Sequence, residues 1–178
     1  MENLKELLMR RRSTRKYTDQ VLTQDRLNMI MEAALVAPTS KNSRAWQFVV
    51  VDNKEMLAAL ATCKKFGAVA LETATAAIVV AANTEQSEAW IEDTSIAAAF
   101  MQLQAEDLGI GSCWVQIRER MYDDNTTAGQ YVKQLFSMPE NIEVECIIAL
   151  GYKNEQRKPY DAEKMMWKKV HKNKWGEK

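Results

Sequence analysis

The chain predicts an α+β fold of three layers, one mixed β-sheet flanked by helices, in a single domain spanning residues 1–178. Three observations lead there. Helical and strand patterns alternate, but the strand-like runs are few and short and long helical stretches flank them. One stretch, 88–108, is apolar nearly all round, as befits a helix in the middle of a structure. The closely spaced glycines Gly109 and Gly111 follow a helix and precede a strand, the reverse of a dinucleotide-binding turn. No third glycine completes that fingerprint, so a doubly wound Rossmann fold is set aside, and there is no Walker loop.

Each element has a local reason. Leu4, Leu7 and Leu8 form an i, i+3, i+4 stripe, so a short helix runs up to the arginines that follow. Thr23 caps a second helix, with Asp25 in its first turn and Leu27, Ile30, Met31, Ala34 and Leu35 on its apolar face, until Pro38 stops it. WQFVVVD (46–52) is a strand, and Asn53 caps a helix to about Cys63. AAIVVAA (76–82) is a second, buried strand. The long helix ends at Gly109. IGSCWVQI (110–117) is a third strand, a polar loop covers 118–126, Tyr131, Leu135 and Phe136 mark a helix, and VECIIALGY (144–152) is the last strand. A helix is predicted from Asp161 to about His171, with Met165, Met166 and Val170 on its apolar side.

Composition narrows the function classes. Hydrophobic residues at 47% and charged residues at 27% are ordinary for a globular chain and exclude disorder as the main state. Cys63, Cys113 and Cys146 show neither zinc-ligand spacing nor an even-numbered disulfide framework, which points to a reducing compartment. Charges before any apolar run argue against a secretory leader, and no uncharged run approaches the ~20 residues of a membrane span. The expected location is the cytoplasm. Net charge is zero, yet residues 1–18 carry six basic and two acidic side chains and residues 153–178 nine and four. Anion binding must therefore be local.

The first basic cluster, RRSTRKY at Arg11–Tyr17, sets guanidinium forks around a hydroxyl, a pattern suited to a phosphate monoester. Its companion, APTSKNSRAW at Ala37–Trp46, is an open loop rich in backbone-bonding side chains. His171, the only histidine, sits in the lysine-rich tail and is read as a surface residue.

With these segments in this order, the chain resembles the nitroreductase family of flavin enzymes over nearly its whole length. The likeness is carried by R-R-S-x-R at Arg11–Arg15, A-P-[ST]-S-x-N ending at Trp46, the long helix, LGIGSCW at Leu108–Trp114 and LGY at Leu150–Tyr152. It implies a nitroreductase-like sandwich in an intertwined homodimer, with FMN at the interface and residues of both subunits in each site. It implies NADH or NADPH as electron donor and a small planar acceptor such as a nitroaromatic or a quinone. By position, Arg11, Ser13 and Arg15 would hold the FMN phosphate, ribityl chain and pyrimidine edge, with Arg12 contributing backbone. Pro38, Thr39, Ser40 and Asn42 would come from the second subunit and border the isoalloxazine. Trp114, Val115 and Gln116 would run along the flavin, with a backbone N–H near Gln116 facing N5. Lys158, beside Arg157, would be a second phosphate contact.

No catalytic side chain is expected, because hydride transfer through a flavin needs no side-chain acid or base. Where the family commonly has Gln-Pro before the tryptophan, this chain has Arg44-Ala45, which alters the loop's charge and bears on substrate choice. No basic residue lies between Phe66 and Leu71 to add to the pyrimidine edge. Two other readings compete: a flavin-storage, sensor or flavin-modifying protein of the same fold, and a nucleic-acid-binding arm at Arg10–Lys16. The arm has only Tyr17 as an aromatic neighbour, so neither nucleic acid nor membrane is expected as a partner.

Overall fold

The computed structural model describes residues 3–177. Five α-helices and four strands follow one another as α1 (Leu4–Arg10), α2 (Gln24–Leu35), β1 (Trp46–Val51), α3 (Lys54–Ala61), β2 (Ala76–Asn83), α4 (Trp90–Asp107), β3 (Ile110–Gln116), α5 (Ala128–Leu135) and β4 (Ile142–Tyr152). The helix starts are chemical. Thr23 and Asn53 accept the N–H groups of Arg26 and Met56, and Thr127 with Gln130 forms a reciprocal capping box on α5.

The strands lie in the order β1-β2-β4-β3, and all three pairings are antiparallel. The parallel component of the expected mixed sheet is confined to one bridge, Ser13 with Ser112, on the outer edge of β3. Strand alternation sorts the sheet into two cores. Ala76, Ile78 and Val80 of β2 join the α2 and α4 layer, while Ala77, Val79 and Ala81 join α3, α5 and Tyr17. Both faces of β2 and β4 are covered, which is why their sequences read as continuous apolar runs.

Two expectations change. The 88–108 helix starts at Trp90, and it is not uniformly apolar: its buried side includes Asp93 and Glu106, while Ile96 and Phe100 are left part-exposed on the outside. The helix predicted over 161–171 is replaced by two 3₁₀ turns, Ala162–Lys164 and Trp167–Lys169. Its would-be apolar side finds no layer to cover it, since Met166, Trp167 and Val170 are exposed, and a short helix without packing is not stable in water.

Candidate functional site

The basic segment leaves α1 in extended form and runs along the free edge of β3. Thr14 N–H donates to the Ser112 carbonyl at 2.9 Å, Thr18 N–H to Tyr152 at 2.9 Å, and the Tyr17 hydroxyl to the carbonyls of Thr14 and Ala149 at 2.6 and 3.2 Å. Two glycines make this close passage possible. Gly111 and Gly151 face each other across β3 and β4. A Cβ on Gly111 would lie 2.9 Å from the Thr14 side chain, and one on Gly151 only 2.7 Å from Tyr17 Cβ. The glycines of the LGIGSCW and LGY motifs thus form one shelf for residues 13–17.

Ion pairs, one set on a buried carboxylate, hold the segment's near end. Glu106, 1% exposed, accepts Arg10 Nε at 3.0 Å and Lys153 Nζ at 2.8 Å. Glu155 accepts the Arg15 N–H and pairs with Arg157 at 2.9 Å. The Arg15 N–H bond, then Arg157, hold the Glu155 carboxyl below its ordinary value. The chain then returns past α1, where Tyr160 N–H donates to Met9 and the Arg12 guanidinium sits 5.9 Å over the Tyr160 ring. That return carries the exposed Lys158, two residues before Tyr160, back toward the arginines.

The free edge of β3 is polar and partly open. Backbone N–H and C=O groups of one residue in an antiparallel strand point to the same side, and successive residues alternate. Ser112 accepts from Thr14, and the Gln116 carbonyl accepts Lys64 Nζ at 2.8 Å. Ser112, Trp114 and Gln116 therefore turn their backbone groups outward, and the Gln116 N–H lies on the open edge. Trp114 is fixed by its own neighbour, with Nε1 donating to Gln116 Oε1 at 2.7 Å. The Gln116 amide donates in turn to Glu145 Oε1, which is buried and paired with Arg118 through Oε2 at 2.8 Å.

Lys64 reaches this edge through the Gln116 carbonyl, and Arg11 and Arg15 flank Ser13 and Thr14, which dock on Ser112. Burial pushes the Cys113 thiol up, and Arg15, Lys64 and Arg11 oppose that shift through their charge. Arg11 and Arg15 make no side-chain ion pair among the described residues. Burial lowers the Lys64 ammonium from its ordinary value. Lys64 stands two residues before Phe66–Leu71, the stretch that lacks a base. The spacing from Lys64 to Gln116 carries no local signal.

The loop at Pro38–Asn42 lies elsewhere. Lys41, Asn42 and Arg44 adopt φ of 51°, 55° and 50°, left-handed conformations that cost about 1 kcal/mol each for non-glycine residues. Asp93, 2% exposed, holds the loop in place: it accepts Ser40 N–H at 2.8 Å, Ser43 Oγ at 3.0 Å and Ser87 Oγ at 3.1 Å. Asp93 is near the start of α4 and Glu106 near its end, about 20 Å apart at 1.5 Å per residue. The loop also leads into β1, three strand spacings or about 14 Å across the sheet from β3. Within one chain, the structure docks the Arg11–Arg15 segment on β3 at Ser112, two residues before Trp114, runs the Lys158 segment back past Arg12, and leaves Pro38, Thr39, Ser40 and Asn42 apart.

Fold and edge together define a three-layer α+β protein with a basic segment docked on one sheet edge. The chain belongs to the nitroreductase family, whose sequence model matches residues 8–88 and 63–152. A relative in Archaeoglobus fulgidus, provisionally named an NADH dehydrogenase/NAD(P)H nitroreductase, is 33% identical over 98% of this chain and 100% of its own. The structure of an FMN-dependent nitroreductase from Clostridium difficile superposes with a TM-score of 0.94 at 47% identity, covering 96% of this chain and 99% of that one. A Bacteroides fragilis nitroreductase with bound FMN superposes with a TM-score of 0.72 at 26% identity, covering 93% and 98%. Among the described residues no helix is long and apolar enough to cross a membrane, and no group of His, Cys, Asp or Glu is placed to hold a metal.

Proposed function

We propose that this chain is an FMN-dependent NAD(P)H oxidoreductase, folded as one domain and working as a homodimer on a small planar acceptor such as a nitroaromatic or a quinone. The observation that carries the reading is the outer edge of β3, where Thr14 docks on Ser112 between Arg11 and Arg15 and Lys64 bonds Gln116, with no carboxylate pairing any of the three cations among the described residues. That donor set fits a phosphate ester joined to a heterocycle with a hydrogen-bonding edge. FMN, when bound, supplies the two-electron chemistry, taking a hydride from NAD(P)H and passing the electrons to the acceptor.

The protein's part is to bind and bias. Arg11 and Ser13, with the Arg12 backbone and Lys158, hold the phosphate and ribityl end. Arg15 and Lys64 place fixed positive charge by the pyrimidine edge, which favours the electron-rich form of the cofactor. The Gln116 N–H on the open edge orients the ring and Trp114 walls it, while Val115, buried in the core on the other face of β3, supports them from behind. Pro38, Thr39, Ser40 and Asn42 complete the site from the partner, which accounts for their distance from the arginines in their own chain.

The surface supports the dimer. Leu4, Leu7, Met29, Val36, Phe100 and Leu103 line an apolar cleft of about 680 Å³ on the α1, α2 and α4 side, and Trp167 and Trp175 stand 71% and 90% exposed on the tail. Exposed apolar side chains of this kind suit a surface that a second copy covers.

The test is the absorbance of protein supplemented with FMN, desalted, and followed anaerobically as NADH and then NADPH are added. Retained flavin that bleaches supports the proposal. Flavin that stays oxidised points to storage or sensing, and no retained flavin refutes the cofactor assignment.

A further inference from the structure

The cations Lys41 and Arg44 are not used by the assignments above. Both are exposed, both are held at positive φ, and neither has a carboxylate within ion-pair range among the described residues. Their settings differ. Glu85 and Glu88 line the same cleft as Lys41, so acid stands near it. Arg44 does not line that cleft, and it is pre-oriented. Its N–H donates to Thr39 Oγ1 at 3.2 Å and its Nε to Asn42 Oδ1 at 3.0 Å, while Asp93 anchors the loop from beneath.

With Nε committed, the guanidinium keeps its two terminal nitrogens for a ligand. A planar pair of parallel N–H groups matches two oxygens of a phosphate monoester better than it matches a neutral group or a single-oxygen acceptor. Little side-chain freedom is lost on binding, because the internal hydrogen bond has already restricted it. The two nicotinamide donors differ by one such group, the 2′-phosphate.

We propose that Arg44, on the loop bordering the partner's flavin, binds the 2′-phosphate of NADPH and makes NADPH the preferred electron donor. This rests on the functional reading above, in which that loop faces the bound cofactor. Arg44 acts on donor binding alone. Lys41 adds positive charge at the same rim, partly offset by Glu85 and Glu88.

The experiment compares kcat/KM for NADPH and NADH in the FMN-loaded dimer and in Arg44→Gln, with 2′,5′-ADP binding measured by calorimetry on both. The expected result is a wild-type preference for NADPH of at least tenfold, carried by KM. In Arg44→Gln the NADPH/NADH ratio falls at least fivefold and 2′,5′-ADP binds at least fivefold more weakly. A wild-type ratio near one or below, or a ratio that Arg44→Gln leaves unchanged, overturns the proposal. If neither donor bleaches bound flavin, the oxidoreductase reading fails and 2′,5′-ADP decides the phosphate site alone: binding weakened in Arg44→Gln upholds it, and no binding, or equal binding to both proteins, overturns it.

Discussion

Replacing Gly151 by alanine tests how the site is built without touching a residue that would meet a ligand. The new Cβ would sit 2.7, 2.8 and 2.9 Å from Tyr17 Cβ, Cγ and Cδ1, where carbon atoms rest at about 3.5–4.0 Å. The contact is with the root of a buried side chain, so Tyr17 and its backbone must move. Overpacking of this kind costs about 1–3 kcal/mol. Pulling the Tyr17 hydroxyl from the Thr14 and Ala149 carbonyls adds about 1 kcal/mol. Together they give about 2–4 kcal/mol, or roughly 5–15 °C in Tm for a chain of this length. Because Tyr17 is two residues from Arg15, flavin retention should fall at least tenfold. Calorimetry and fluorescence titration with FMN measure both effects. Gly129→Ala is the control: only Thr127 Oγ1, at 3.9 Å, meets its Cβ, and alanine within α5 should stabilise by about 0.5 kcal/mol. A Gly151→Ala protein with wild-type Tm and wild-type FMN affinity would refute the shelf.

Three further outcomes are expected. Glu106→Gln leaves Arg10 and Lys153 without their shared carboxylate and should cost about 2 kcal/mol in denaturant unfolding, less than a fully buried pair because both cations reach solvent; equal stability would show the triad to be inert. Subunit mixing tests the shared site: Arg11→Ala/Arg15→Ala and Asp93→Asn should each retain little FMN alone, while their heterodimer regains one flavin per two chains, and no recovery would place the whole site in one subunit. Burial pushes the Cys63 thiol up to about 11 and also raises Cys113, Cys146 and Tyr17, and among the groups that titrate in the alkaline range it lowers only Lys64. The folded state therefore keeps protons that the unfolded chain releases, so stability is full below about pH 9 and declines as pH rises toward 11; unfolding curves that stay flat over that range would contradict it.

Much of the fold was legible because its signals are local. Thr23, Asn53 and Pro38 act within a turn or two of themselves, and the apolar runs of β2 and β4 declare burial on both faces. Arg11–Arg15 and Trp114–Gln116 were legible as motifs, and Thr14 docks the first on Ser112, two residues before Trp114. Asp93 was not, because a carboxylate in a helix read as apolar looks like a flaw until the Ser40, Ser43 and Ser87 donors surround it. Lys64 was not, because its place at Gln116 depends on how α3 crosses the sheet. The 161–171 segment was misread for a related reason: its periodicity was real, but helix formation depends on packing that the sequence pattern cannot supply.

The shelf at Gly111 and Gly151 also orders events during synthesis. Residues 11–17 emerge from the ribosome early, but their docking surface consists of strands made about a hundred residues later, and the Arg15 to Glu155 hydrogen bond spans 140 positions. Contacts of such long range form late, because the loop between them must be closed first. The basic segment is thus among the first parts translated and the last put in place, so a truncated or half-folded chain has its cations but no edge to set them on. On the function proposed above, flavin colour in a cell extract would report completed folding, not merely the presence of the polypeptide.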